Sequence, residues 1–182
     1  MSKTFLTLST LMGVVVLTSN YLVQFPIKFY NLEKILTYGA LSYPVAFLIT
    51  DLANRYYGKL IARKIVYVGF FIGISFTFFF STNFSDLISI RIAIGSGVAF
   101  LIAQLLDVQI FHKLRKKKWF IAPLTSSSLG SIVDTFLFFS ISFYGTGISW
   151  ITLSLGDLTV KFLVALLMLI PFRLLMGNFK AA

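Results

Sequence analysis

Long runs of apolar residues, separated by short polar links, constrain this chain more than any other feature of its sequence. Six runs reach the roughly 20 residues that an α-helix needs to cross the hydrocarbon core of a bilayer. Only 12% of the residues are charged, against roughly 25% in soluble proteins. We therefore predict an all-α integral membrane protein with six transmembrane helices. The runs are residues 4–25, 36–54, 62–83, 87–111, 120–144 and 148–175.

The links between the runs are too short to hold a soluble domain. Residues 1–182 are therefore expected to form a single transmembrane domain, which acts within the bilayer or at its faces. The chain contains no cysteine, which excludes disulfides, thiolate metal sites and a cysteine nucleophile.

The basic residues are spread unevenly over the links. Of the 16 lysines and arginines, twelve fall at the two chain ends and in the second and fourth links. The opposite links carry Lys28, Lys34 and Arg91. An excess of basic residues marks the cytoplasmic side, so both termini are predicted to be cytoplasmic. The basic run 115–118 is interpreted as an anchor to lipid headgroups and not as a nucleic-acid patch.

Four aspartates lie in or at the ends of the apolar runs. Asp51 and Asp107 each precede a basic link, in the similar stretches LITDLANRYYGKLIARK and LIAQLLDVQIFHKLRKK. Asp134 and Asp157 lie near mid-membrane, and Lys161 is one turn beyond Asp157. Each charge at a helix centre costs about 2.5–3.5 kcal/mol. The residues are therefore expected to line a polar cavity; the alternative is a buried Asp157–Lys161 clasp between helices.

Carboxamide side chains accompany these acids. Asn20 and Gln24 are four residues apart near the outer end of the first helix and share one face. Gln104 precedes the aspartate of the fourth helix by three residues. Such side chains can bond either a ligand or a neighbouring helix, and the sequence leaves both readings open.

Two helical spacings predict local contacts. Arg55 follows Asp51 by four residues and is a possible ionic partner for it. Gly69 and Gly73 have the GxxxG spacing that is typical of close helix packing. We therefore interpret the third run as a packing helix.

The polar motifs resemble those of a known family, the bacterial queuosine precursor transporters, which are small six-helix inner-membrane proteins. They recur in order along nearly the whole chain. The matching elements are TSNYLVQFP (18–26), FLITDLANRYYG (47–58), QLLDVQIFHKLR (104–115), GSIVDTFLFFSISF (130–143) and the D-x-x-x-K of 157–161.

The resemblance implies a non-enzymatic transporter that imports 7-cyano-7-deazaguanine, and also the 7-aminomethyl base, across the inner membrane. The expected partners are this small base and the lipid bilayer, with no nucleic acid, no cofactor and no metal. Whether the chain forms a homo-oligomer is open. So is the energy source, which is facilitated diffusion or coupling to H⁺ or Na⁺.

A guanine-like base offers two adjacent donors that a carboxylate can accept together. On this reading Asp134 and Asp157 contact the base, and Lys161 sets the charge of Asp157. Asp51 and Asp107 act as site or gate residues on the cytoplasmic side. The carboxamides read the carbonyl and ring nitrogens, and an aromatic ring stacks on the base. The expected substrate-binding residues are Asn20, Gln24, Asp51, Gln104, Asp107, Asp134, Asp157 and Lys161, with Tyr43, Phe136 or Phe139 as the stacking ring.

Three other functions remain open at this stage. The chain lacks a G-x-x-x-x-G-K-[ST] motif, so a substrate-capture subunit would depend on a separate ATPase. Two membrane aspartates can also form the catalytic dyad of an intramembrane enzyme. A purely structural membrane protein would keep every transport phenotype after its aspartates are neutralised.

Overall fold

The computed structural model of this chain describes residues 3–22, 25–27 and 37–178, and its long elements are all helices. Five helical stretches in this part are long and apolar enough to cross a membrane, one of which is the 42-residue stretch Gly39–Phe80. The all-helical membrane class is thus confirmed. The elements are α1 (Lys3–Leu22), α2 (Gly39–Ser42), α3 (Pro44–Phe76), a π-helical turn (Thr77–Ser81), α4 (Leu87–Leu114), α5 (Ile121–Phe143) and α6 (Trp150–Asn178).

The stretch Gly39–Phe80 folds back on itself. Residues Ser42 and Thr77 lie near its two ends, and a straight helix would separate them by about 50 Å. Yet their hydrogen-bond partners are adjacent residues of α1. Ser19 Oγ lies 2.9 Å from Ser42 Oγ, and Asn20 Nδ2 donates to Thr77 Oγ1 at 3.0 Å. The two ends are therefore neighbours, and α3 is a helical hairpin.

The turn of this hairpin is Gly58, whose φ of 77° and ψ of 176° interrupt α3. A side chain disfavours this left-handed φ, whereas glycine adopts it at little cost. The turn lies within the polar link predicted over 55–61, and helix continues up to and directly after Gly58. Arg, Tyr and Lys are compatible with a helix, so only the glycine breaks it. We call residues 44–57 the first arm and 59–76 the second arm.

The second arm packs closely on α1, as the GxxxG spacing predicted. A Cβ atom at Gly69 would lie 2.3 Å from Met12 Cγ, and one at Gly73 would lie 2.6 Å from Val16 Cγ1. Because a Cβ atom at either position would overlap a side chain of α1, the two glycines allow the second arm and α1 to approach closely.

The first arm runs parallel to α4. Thr50 hydrogen-bonds the Gln104 carboxamide, and four residues later Asn54 Nδ2 donates to the carbonyl of Val108 at 2.8 Å. Helix α5 runs in the opposite direction and approaches the first arm at Gly130, where a Cβ atom would lie 2.6 Å from Cε1 of Phe47. These helices, with α1 and α6, surround the polar interior.

Candidate functional site

A cavity of about 30 Å³ lies where α1, α2, α4, α5 and α6 meet, beside Tyr43, which directly precedes the first arm. Its polar lining comes from helices that are distant in sequence, and each polar side chain is almost wholly buried. We call it the outer cavity. It is lined by Ser19, Asn20, Gly39, Tyr43, Ser96, Asp134, Phe138, Asp157 and Lys161.

Lys161 joins the two acids of this cavity. Its Nζ lies 2.8 Å from Asp134 Oδ2 and 2.6 Å from Asp157 Oδ2, and it donates to Thr135 Oγ1 at 3.0 Å. The Thr135 hydroxyl in turn donates to Asp157 Oδ2 at 2.9 Å. An ammonium group has three protons, so these three oxygens account for all of them. The ammonium also lies 5.0 Å from the centre of the Tyr43 ring.

One side of the outer cavity keeps unused hydrogen-bonding capacity. Asp134 Oδ1 and the Tyr43 hydroxyl are buried neighbours, and neither makes a hydrogen bond of normal geometry within the described residues. Two carboxylates against one ammonium also leave a formal charge of −1. The cavity therefore offers an anionic acceptor and a phenolic hydroxyl to a ligand that carries N–H donors.

Asn20 contributes to the lining and to the helix contact at once. It is 4% exposed, donates to Thr77 Oγ1 of the π-helical turn and lines the outer cavity. The helix-contact reading of this carboxamide is therefore confirmed, and its ligand-binding reading stays a prediction. Gln24 lies outside the described residues.

A second group of acids lies further along the same helices. Both oxygens of Asp51 accept hydrogen bonds at 3.1 Å, one from Ser126 and one from Ser127. Asp107 adjoins Asp51, and neither of its oxygens has a hydrogen-bond partner in the described part of the chain. We call Asp51 and Asp107 the inner acid pair.

Asp51 of the inner acid pair lines a second, smaller cavity of about 10 Å³, which we call the inner cavity. Asp51, Ser127 and Ser131 supply its polar lining, and Met168 and Phe172 of α6 lie on its apolar side. On α5, Ser127 precedes Asp134 by seven residues, which corresponds to about 10 Å along the helix axis. The structure thus holds two separate acidic groups at different depths.

The structure does not bring Gln104 into the outer cavity. Its side chain is fully buried against Thr50 in the interface of the first arm with α4, near the inner acid pair. Its Nε2 has no partner within the described ranges.

The predicted pairing of Asp51 with Arg55 was wrong. Arg55 Nη1 donates instead to the carbonyl of Arg115 at 2.6 Å, and Arg115 Nη2 donates back to the carbonyl of Arg55 at 3.1 Å. These reciprocal bonds join the end of the first arm to the end of α4 and direct Arg55 away from the acid.

Of the three stacking rings expected from the sequence, only Tyr43 lines the outer cavity. Phe136 is 39% exposed on the outside of α5, and Phe139 packs in an apolar cluster with Ala99. The second aromatic ring of the lining is Phe138, which the sequence reasoning missed. Its position one turn after Asp134 was a usable signal, because residues four apart share a helix face.

The sequence reasoning also missed Thr135 and Ser126. Thr135 follows a membrane aspartate directly and bridges Asp157 and Lys161. Ser126 is the first of three consecutive serines, and its hydroxyl donates a hydrogen bond to Asp51. No spacing within one helix indicates either contact, because both partners lie on other helices.

Comparison with known proteins places the chain among transporters. Residues 37–176 match the family described as "Putative vitamin uptake transporter". A protein of Haemophilus influenzae named "Probable queuosine precursor transporter" is 34% identical over 86% of this chain and 79% of its own length. The "Queuosine precursor transporter" of Escherichia coli is 31% identical over 87% and 79%. No solved structure matches.

Proposed function

Since this chain belongs to the family of queuosine precursor transporters, we propose that it imports 7-cyano-7-deazaguanine, and also the 7-aminomethyl base, across the bacterial inner membrane. The chain is a multi-pass membrane transporter and not an enzyme. The relatives' names supply the class of cargo.

We propose six membrane crossings, made by α1, the two arms of α3, α4, α5 and α6. The hairpin supports two crossings for Gly39–Phe80, because its 42 residues would span about 63 Å as one helix, twice the hydrocarbon core. Six crossings leave both termini on one side, and the basic residues favour the cytoplasm for that side. All 182 residues then form one transport domain.

The single observation that carries the binding proposal is the unpartnered Asp134 Oδ1 in the outer cavity. A guanine-like edge presents N1–H and the exocyclic amine side by side, and such donors suit a carboxylate. Lys161 already holds the other oxygen of Asp134, so the carboxylate is fixed in orientation. Tyr43 and Phe138 supply rings beside it.

The remaining polar groups of the outer cavity complete the proposed site. Asn20 faces it with a carboxamide that can accept from or donate to the base. Asp157 shares Lys161 with Asp134 and keeps the ammonium in place. We place Gln104 and the inner acid pair outside the base-binding site, on the path toward the cytoplasm.

The outer cavity has to widen before a base can enter. Its volume of about 30 Å³ holds roughly two water molecules at 10–15 Å³ each, and a bicyclic base is several times larger. Helix movement must therefore accompany binding, as in transporters that alternate between two open states. The bonds of Ser19 and Asn20 to Ser42 and Thr77 are candidates for the contacts that open.

The test is uptake of radiolabelled 7-cyano-7-deazaguanine into proteoliposomes that contain only this chain. Asp134→Asn should weaken binding by about 10–100-fold, because a hydrogen bond to a charged group contributes about 1.5–3 kcal/mol. Asp86→Asn is the matched control, since Asp86 caps α4 in an exposed position. It should transport normally.

Two outcomes would overturn the proposal. Equal transport by Asp134→Asn and Asp86→Asn would remove the acid from base recognition. Absence of uptake by the unaltered chain, with recovery when a membrane ATPase fraction is co-reconstituted, would assign it to a substrate-capture subunit.

A further inference from the structure

The inner acid pair has no positive partner. Within the described ranges the ion pairs are those of Lys161 with Asp134 and Asp157, and Asp51 and Asp107 have none. Both side chains are at most 2% exposed. Two buried carboxylates side by side cannot both be ionised without a cation, and in such a site they hold one proton between them.

Charged groups on the surrounding helices do not supply that cation. On the first arm, Arg55 is directed to the carbonyl of Arg115. On α6, the three ammonium protons of Lys161 are taken by the outer cavity, and Arg173 lies 4.6 Å from the Trp119 ring. On α4, His112 is exposed.

The uncharged groups that face the pair are hydroxyls of α5. Ser126 and Ser127 each donate one hydrogen bond to Asp51. Each hydroxyl has a single proton, and in these hydrogen bonds both protons are directed at Asp51 and not at Asp107.

A second observation shows unused hydrogen-bonding capacity at the pair. The Ser131 hydroxyl is 1% exposed, has no partner in the described part of the chain and lines the inner cavity with Asp51. Both oxygens of Asp107 are also unpartnered and fully buried. The cavity of about 10 Å³ is close to the space that one water molecule occupies. Ser131 precedes Asp134 by one helical turn, so it links the two acidic groups.

We propose that the inner acid pair is a proton-binding site, and that the chain is a proton symporter in which one proton on Asp51 and Asp107 accompanies each imported base. This rests on the proposed function, because it names the ion that drives the same transport. The proton reaches the pair from the outer cavity through Ser131 and a water in the inner cavity. It leaves to the cytoplasm when the helices rearrange.

The experiment separates exchange from accumulation in proteoliposomes. With labelled base on one side and unlabelled base on the other, the unaltered chain should exchange them without any gradient. An acidic exterior should then drive accumulation above equilibrium, and a pH dye in the lumen should report about one proton entering per base. A sodium gradient should drive nothing.

Asp107→Asn and Asp51→Asn remove one acid each without changing its size. Each should keep exchange within about twofold of the unaltered chain while losing the gradient-driven accumulation and the proton signal. Asp86→Asn, the exposed matched control, should keep all three.

The outcomes distinguish this proposal from the proposed function. Absence of exchange by the unaltered chain contradicts the proposed function. Exchange without accumulation in a proton gradient, or accumulation driven by sodium, overturns proton symport alone. Full proton-driven accumulation by the double variant Asp51→Asn/Asp107→Asn would show that the proton binds elsewhere. Exchange and gradient-driven accumulation by the unaltered chain test proton symport even where a variant does not fold.

Discussion

Replacement of Lys161 by methionine tests the charge balance of the outer cavity most directly. The methionine side chain retains most of the apolar volume of lysine and removes the ammonium that contacts Asp134, Asp157 and Thr135. The formal charge of the cavity then changes from −1 to −2, with both carboxylates still buried. We expect a large loss of stability.

The magnitude follows from the burial of the three groups. Each of the three side chains is at most 8% exposed, so water cannot replace the ammonium. Removal of one partner from a buried ion pair costs about 3–5 kcal/mol. For a chain of 150–250 residues, each kcal/mol lowers the melting temperature by about 2–4 °C. Lys161→Met should therefore melt about 6–20 °C lower.

The double variant Lys161→Met/Asp157→Asn makes the test specific. It returns the formal charge of the outer cavity to −1. The carboxamide oxygen of an asparagine at position 157 can still accept the hydrogen bond from the Thr135 hydroxyl. It should therefore be more stable than Lys161→Met alone, a coupling that a double-mutant cycle measures. Neither variant should transport, since both lack the group that orients the Asp134 carboxylate.

The assay is thermal unfolding in detergent, followed by size-exclusion chromatography with fluorescence detection. Lys117→Met is the control, because Lys117 lies exposed in the basic link after α4. It should melt within about 1 °C of the unaltered chain, as surface changes are usually worth less than 0.5 kcal/mol. If Lys161→Met melts like this control, or melts above the double variant, the charge argument for the cavity is refuted.

Three further predictions concern the hairpin and its contacts. The Ser19 and Ser42 hydroxyls lie 2.9 Å apart in a chain without cysteine, so oxidation of Ser19→Cys/Ser42→Cys should stop uptake and dithiothreitol should restore it. Full uptake by the oxidised pair would argue against opening at this end. Gly58→Ala meets no atom closer than 3.7 Å, so its cost is that of the positive-φ, extended-ψ backbone alone, about 1–3 kcal/mol, measured as a lower melting temperature. An unchanged value would mean that the turn can adopt another conformation. Gly69→Ala should cost about 1–3 kcal/mol through its clash with Met12, and Met12→Ala should relieve part of it; additive losses would contradict direct packing.

Helix length was predictable because hydrophobic runs must match the bilayer. The fourth run, 87–111, corresponds to Leu87–Leu114, and the fifth run, 120–144, corresponds to Ile121–Phe143. The predicted link over 55–61 contains the hairpin turn, but its basic residues did not indicate at which residue the helix breaks. Side-chain charge does not end a helix that can extend into the interface, whereas the left-handed glycine at 58 does.

The candidate site was predictable only where its contacts lie within one helix. The pair Asp157–Lys161 follows from i,i+4 spacing and is present. The contact of Lys161 with Asp134 depends on how α5 packs against α6, and no periodicity contains that information. The same limit explains Asp51, whose partners Ser126 and Ser127 come from α5 rather than from its own helix.

Helix α5 is the element through which the two acidic groups can act on each other. Its residues Ser126 and Ser127 bind Asp51, and about 10 Å further along the same unbroken helix Asp134 binds Lys161. A shift of α5 that adapts Asp134 to a base therefore also changes the hydrogen bonds at Asp51. Coupling between two binding sites is reciprocal, so a proton that strengthens base binding is itself held more tightly once the base is bound. Loss of the proton site must then remove the dependence of base affinity on pH while leaving the outer cavity able to bind.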